Sequence, residues 1–164
     1  MKSLNASNWL APDPAWSPEP RPAQWRDDFV AIALGPQVPA EVAGLFESAR
    51  ASLVYGVFYA PLVAVGVEQC YWALEAGLRA RCARQDLPVS VQDRQGKDHA
   101  LSFSHNLRQL QDQGLIAEAD APLWRQAGEL KDWVASPRLG GALGREHAVI
   151  ALGRAAELLN RLFA

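Results

Sequence analysis

The chain has 164 residues, 49% of them apolar and 21% charged, with 16 Lys and Arg against 18 Asp and Glu for a net charge of −2. A chain this apolar is not disordered, one this balanced is not a generally basic nucleic-acid binder, and its length suits one domain that buries roughly two-thirds of its unfolded surface. Two cysteines, Cys70 and Cys82, cannot build a disulfide framework and suit a reducing cytoplasm, which is the location expected.

The opening MKSLNASNWLAPDPAW holds one Lys and no continuous apolar stretch, so no secretory signal is expected. The longest uncharged run, Ala51 to Val67, counts 17 residues and would span about 26 Å as one helix. That falls short of the roughly 30 Å hydrocarbon core. With Ser52, Tyr55, Tyr59 and Pro61 inside it, the run reads as a buried core helix and no membrane contact is expected.

Residues 1–38 form a distinct N-terminal arm. Seven of the 11 prolines lie within the first 39 residues, and proline removes backbone donors, so the arm is expected to be mostly extended. It also carries Trp9, Trp16 and Trp25, half of all six tryptophans. A solvated linker seldom carries so many large apolar side chains, so Trp25, Phe29 and Ile32 are expected against the body of the domain. The alternative is an arm that docks on another subunit.

Residues 39–164 read as a helical domain of four to five helices, an all-α bundle with short links. Pro39 opens a helix through AEVAGLFESARAS, and the helical pattern continues to about Gln85 with a kink or break expected near Pro61. Beyond Pro61, Leu62, Val65, Gln69, Trp72, Leu74 and Leu78 make a broad stripe. In LPVSVQDRQGKDHA the period changes, giving a short hairpin or irregular loop around a polar turn. Helix resumes near Ser102 and stops at Gly114; Asp120 resembles an N-cap for a helix opening at Pro122 and closing at Ser136-Pro137. A last helix is expected from about Arg145 to Phe163.

Few side chains carry obvious chemistry. No serine lies in a G-x-S-x-G elbow, and Cys70 and Cys82 are about 18 Å apart along a continuous helix, too far to share a disulfide or a metal. Asp98, His99 and His105 make the best metal cluster, yet their spacing matches no metal-binding pattern, so neither metal nor cofactor is expected. Gly140-Gly141-Ala142-Leu143-Gly144 precedes a helix start and could cradle an anion, but lacks the flanking residues of a phosphate loop and reads as a flexible connection.

The stretch SLVYGVFYAPLVAVGVEQCYWALEAGLRARC, followed by SFSHNLRQLQDQGLI, LWRQAGELKDWVASP and the terminal AAELLNRLF, resembles a bacterial HEPN-like family, the higher-eukaryote and prokaryote nucleotide-binding superfamily. The resemblance covers roughly residues 25–164. It implies a helical bundle that pairs as a homodimer, in a superfamily where many members are RNases or the toxic half of toxin–antitoxin and phage-defence systems, and others are noncatalytic binding domains. Active members pair an Arg with a His a few residues later in metal-independent cleavage of RNA. A near-neutral base removes the 2′-hydroxyl proton and a permanent cation stabilises the phosphorane.

By order, the matching stretch here runs from Lys131 to Pro137. Lys131 stands for the Arg, Asp132 for its polar companion and Ser136 for the His, so the resemblance implies a lost catalytic pair. The expected function is a noncatalytic interaction or RNA-associated module, with Lys131, Asp132, Ser136, Arg138 and Arg145 as candidate binding residues; Lys131 and Asp132 read equally as a solvated helix-end pair. One literal Arg-to-His match, Arg94 and His99, leaves a divergent endoribonuclease as the alternative catalytic reading. A third reading is a purely structural dimeric subunit that grips a protein partner with its Trp-rich arm. The small residues Gly56, Ala60, Ala64 and Gly66 add to the expectation of a homodimer.

Overall fold

The computed structural model describes residues 2–16, 20–130 and 143–164. The described chain is mostly helical: α1 Pro22–Val30, α2 Ala40–Tyr55, α3 Pro61–Arg84, α4 Phe103–Asp112, α5 Ala121–Gly128 and α6 Arg145–Leu162, with a two-stranded hairpin β1 Ser90–Gln92 and β2 Asp98–Ala100. Among the described residues, no helix is long and apolar enough to cross a membrane.

Within the arm, expected to be mostly extended, residues 22–30 form the helix α1. Pro22 occupies the first turn of α1, where its missing N–H goes unused, and no further proline interrupts the sequence before Pro36. Trp25 and Phe29, four residues apart on one face, are both buried in the core. Trp25 Nε1 donates to the Leu53 carbonyl at 2.8 Å, and the half-buried Ile32 packs at the core's edge. Arg50 of α2 donates to the Val30 and Ile32 carbonyls at 3.4 and 3.2 Å, satisfying acceptors at the end of α1. Asn160 of α6 grips the following loop, accepting from the Gly35 N–H at 2.6 Å and donating to Ala33 O at 3.3 Å.

The break near Pro61 is a full reversal. Residues 56–60 turn the chain so that α2 and α3 pack side by side, and the 17-residue apolar run is divided between them. Gly66 makes this approach close: a Cβ there would lie 2.6 Å from Leu53 Cδ2 and 3.1 Å from the Ala49 carbonyl. Gly56 faces Val63 in the same way. These two glycines serve packing within the chain, so they supply no surface for pairing with a second copy.

Helix α3 is the central element, with Val67, Cys70, Ala73, Leu74, Leu78 and Cys82 wholly buried against α2, α4 and α6. It ends with Asp86 in the left-handed region (φ 54°), and Leu87 N–H closes onto the Cys82 carbonyl. The hairpin then pairs Val91 with His99, and its turn places Gly96 at φ +76° while Asp93 N–H bonds Lys97 O and Gly96 N–H bonds Asp93 O. That is a type I turn with a glycine bulge, the three-residue hairpin connection.

Ser102 caps α4 by accepting from the His105 N–H, and Gly114 (φ +68°) follows the helix end. Asp120 stands at the N-cap position of α5, as expected, but its side chain makes no cap bond. It closes a single 3-10 turn, Glu118–Asp120, and its carboxylate accepts from Arg161 Nη1 of α6 at 2.5 Å, so an interhelix ion pair takes the group that a cap would need. Helix α6 covers α3 with Leu152, Ala155, Leu158 and Leu159.

Candidate functional site

Arg94 and His99 lie on the exposed hairpin, and its turn chemistry explains their placement. Asp93 Oδ1 accepts from the Gln95 and Lys97 N–H groups at 2.8 and 3.0 Å, and Asp93 Oδ2 bonds His99 Nε2 at 2.8 Å. The His99 bond, with the two backbone donors behind it, holds the Asp93 carboxyl below its ordinary range. His99 thus braces a turn from a half-exposed position, and Arg94 forms no ion pair among the described residues. The sequence match between the two spans the turn of this exposed hairpin.

Lys131, Asp132, Ser136 and Arg138, and the glycine-bearing link from Gly140 to Ala142, lie outside the described residues. Arg145 is described: its guanidinium pairs with Asp28, fastening the start of α6 to α1. The pair is partly exposed and lines a surface pocket with Glu146, Val149 and Ile150. Sequence reasoning had no means to see a partner 117 positions away.

His105 Nδ1 sits 3.0 Å from Ser102 Oγ within the α4 cap, and among the described residues no group of three His, Cys, Asp or Glu is placed to hold a metal ion. Both thiols are buried; desolvation pushes Cys70 up to about 12 and raises Cys82 as well.

The feature that stands out is the first turn of the arm. Residues 3–12 carry no charge. Asn5 Oδ1 accepts from the Ser7 N–H, the Ser7 hydroxyl and the Asn8 N–H, while Asn8 Oδ1 accepts from the Asn5 N–H at 2.9 Å. Asn8 Nδ2 also donates to Ser3 O at 2.9 Å. Ordered by these bonds, the turn presents Leu4, Trp9 and Leu10 at 53%, 59% and 55% exposure.

The turn is held rigidly to the α2–α3 corner. Lys2 Nζ donates to Ala11 O at 2.6 Å and to Phe58 O at 3.0 Å, and is itself buried. Asp13, 1% exposed, donates its N–H to Val57 O at 2.8 Å and accepts the Ala60 N–H on Oδ2. Trp16 Nε1 donates to Gly56 O at 3.1 Å, and its ring lies 4.9 Å from that of Trp25. The arm therefore docks on its own domain. Trp density in the sequence signalled the docking, whereas Lys2 and Asp13, two isolated charges, gave no sign of their roles.

No protein-family model matches the chain, and no curated protein or solved structure matches it.

Proposed function

We propose that the chain is a noncatalytic, HEPN-like helical interaction module that binds a protein partner through the turn carrying Leu4, Trp9 and Leu10. The observation that carries this reading is a charge-free loop, ordered by hydrogen bonds among Asn5, Ser7 and Asn8, from which three large apolar side chains face solvent. Exposed Trp on a pre-ordered loop is a typical binding anchor, because it offers large contact area with little conformational entropy left to lose. The engagement of Arg145 by Asp28 and of His99 by Asp93 also favours protein contact over phosphate contact, since both groups already hold a carboxylate. A second copy of the chain, giving a homodimer, is the simplest partner.

The test is copurification from the source cells with wild-type protein and Trp9→Ala side by side, at low and high salt. Apolar docking survives salt and is lost in Trp9→Ala, whereas binding to RNA falls steeply as salt rises. An endoribonuclease built on Arg94 and His99 would instead cleave RNA in the presence of chelator and lose that cleavage in His99→Ala.

A further inference from the structure

A second surface, sharing no lining residue with the Trp9 turn, has the features of a small-molecule site. A groove of about 500 Å³ runs between α3, α4 and the end of α5, lined among others by Tyr71, Glu75, Phe103, Ser104, Arg125 and Glu129. Its floor is aromatic: the Tyr71 and Phe103 rings stack with centroids 5.4 Å apart and planes inclined by 23°. Trp72 and Trp124 extend this cluster at 5.2 Å from Tyr71 and 6.2 Å from Phe103.

Glu75 stands at the edge of that floor with its side chain only 14% exposed. Its nearest cation, Arg79, is 3.9 Å away, beyond hydrogen-bond reach. No hydrogen bond to Glu75 forms among the described residues, and Arg79 Nε is buried with no partner. A mostly covered carboxyl group without a protein donor is a strong acceptor for any donor that enters. An ammonium group suits the position doubly, bonding the carboxylate while lying over the faces of Tyr71 and Phe103.

Arg125, also lining the groove, is exposed and forms no ion pair among the described residues. Its planar donor fork fits a carboxylate. Glu129, four residues on and equally unpaired, disfavours a ligand with more than one negative charge.

We propose that this groove binds a small zwitterion of the α-amino-acid type, its ammonium on Glu75 and the Tyr71–Phe103 rings and its carboxylate on Arg125. The site shares no residue with the Trp9 turn, so either reading stands or falls without the other.

The experiment titrates L-phenylalanine, phenethylamine, which lacks the carboxylate, and 3-phenylpropanoate, which lacks the amine, into the full chain. Amide chemical shifts are followed by nuclear magnetic resonance. L-Phenylalanine is expected to give saturable shifts at Tyr71, Glu75 and Ser104 and to bind more tightly than either analogue. Glu75→Gln weakens L-phenylalanine and phenethylamine about tenfold, and Arg125→Ala weakens L-phenylalanine about tenfold while leaving phenethylamine nearly unchanged. Should Glu75→Gln fail to fold, the selective effect of Arg125→Ala, an exposed position, decides alone. The absence of saturable shifts with L-phenylalanine, equal binding of 3-phenylpropanoate, or full affinity in the folded variants overturns the proposal.

Discussion

Asp13 Oδ2 accepts the backbone N–H of Ala60 at 2.8 Å, so a carboxylate from the arm sits at the N-terminal end of α3, 47 positions further along the chain. That N–H belongs to the residue before Pro61, where the helix supplies no acceptor of its own. The favourable sign of the helix dipole adds to the bond. The same carboxylate holds Ala15 N–H at 2.9 Å, which makes Asp13 the joint between the arm and the helical hairpin.

Asp13→Ala should therefore behave as the loss of a helix cap. About 1–2 kcal/mol of stability is expected to go, by analogy with N-cap replacements. In a chain of this size that lowers the melting temperature by roughly 2–8 °C. Urea unfolding of the two proteins measures it, and limited proteolysis should open first within residues 2–16.

Gly66 tests the contact between α2 and α3. Gly66→Val adds a branched side chain against Leu53 and the Ala49 carbonyl, and the backbone atom cannot retreat as a side chain can. Overpacking of about 1–3 kcal/mol is expected in denaturant unfolding. A neutral result would mean that α2 and α3 are further apart than described.

The Asp93–His99 bond gives the hairpin a dependence on pH. Because the Asp93 carboxyl is held below its ordinary range when folded, its contribution is complete above the unfolded value and is lost as the pH falls through the folded one. Below the ordinary carboxylate range the Gln95 and Lys97 amides should exchange faster with solvent, because a protonated Asp93 no longer holds them as well. His99→Ala removes the largest cause of the shift and moves the Asp93 titration upward, toward its ordinary value. Carboxyl chemical shifts through an acid titration report both.

Burial of Cys70 and Cys82 predicts inert thiols. An aromatic disulfide reagent at mildly alkaline pH should label neither in the native protein and both in denaturant, since the thiolate is the reactive form.

Much of the fold was legible because the sequence states it locally. Ser102 and Gly114 mark the ends of α4, the stripe from Leu152 to Leu162 marks α6, and the switch from helical to alternating period at Val89 and Val91 marks the hairpin. The helix α1 inside the arm was missed where two local signals compete. Proline density argues for extended chain, but a proline in the first turn of a helix costs nothing, and Trp25 and Phe29 then repay the ordering of α1 by burial.

The candidate site was less legible because its partners are distant in sequence. Arg145 looked free until Asp28 met it, Asp120 looked like a cap until Arg161 reached it, and Gly66 looked like a dimer surface until Leu53 filled the space beside it. Each depends on tertiary contact, which neither periodicity nor spacing encodes. The Trp-rich arm was legible as a docking element, but which tryptophan turns inward and which outward was not, since Trp25 is buried and Trp9 displayed only through tertiary contact.

The central claim is that the Trp9 turn contacts protein. Installing a photo-crosslinking benzoylphenylalanine at position 9, and separately at position 94 on the hairpin, tests it in the intact chain inside cells. A discrete protein adduct from position 9, with none from position 94, is the result expected. RNA adducts, or crosslinks from position 94 alone, would contradict it.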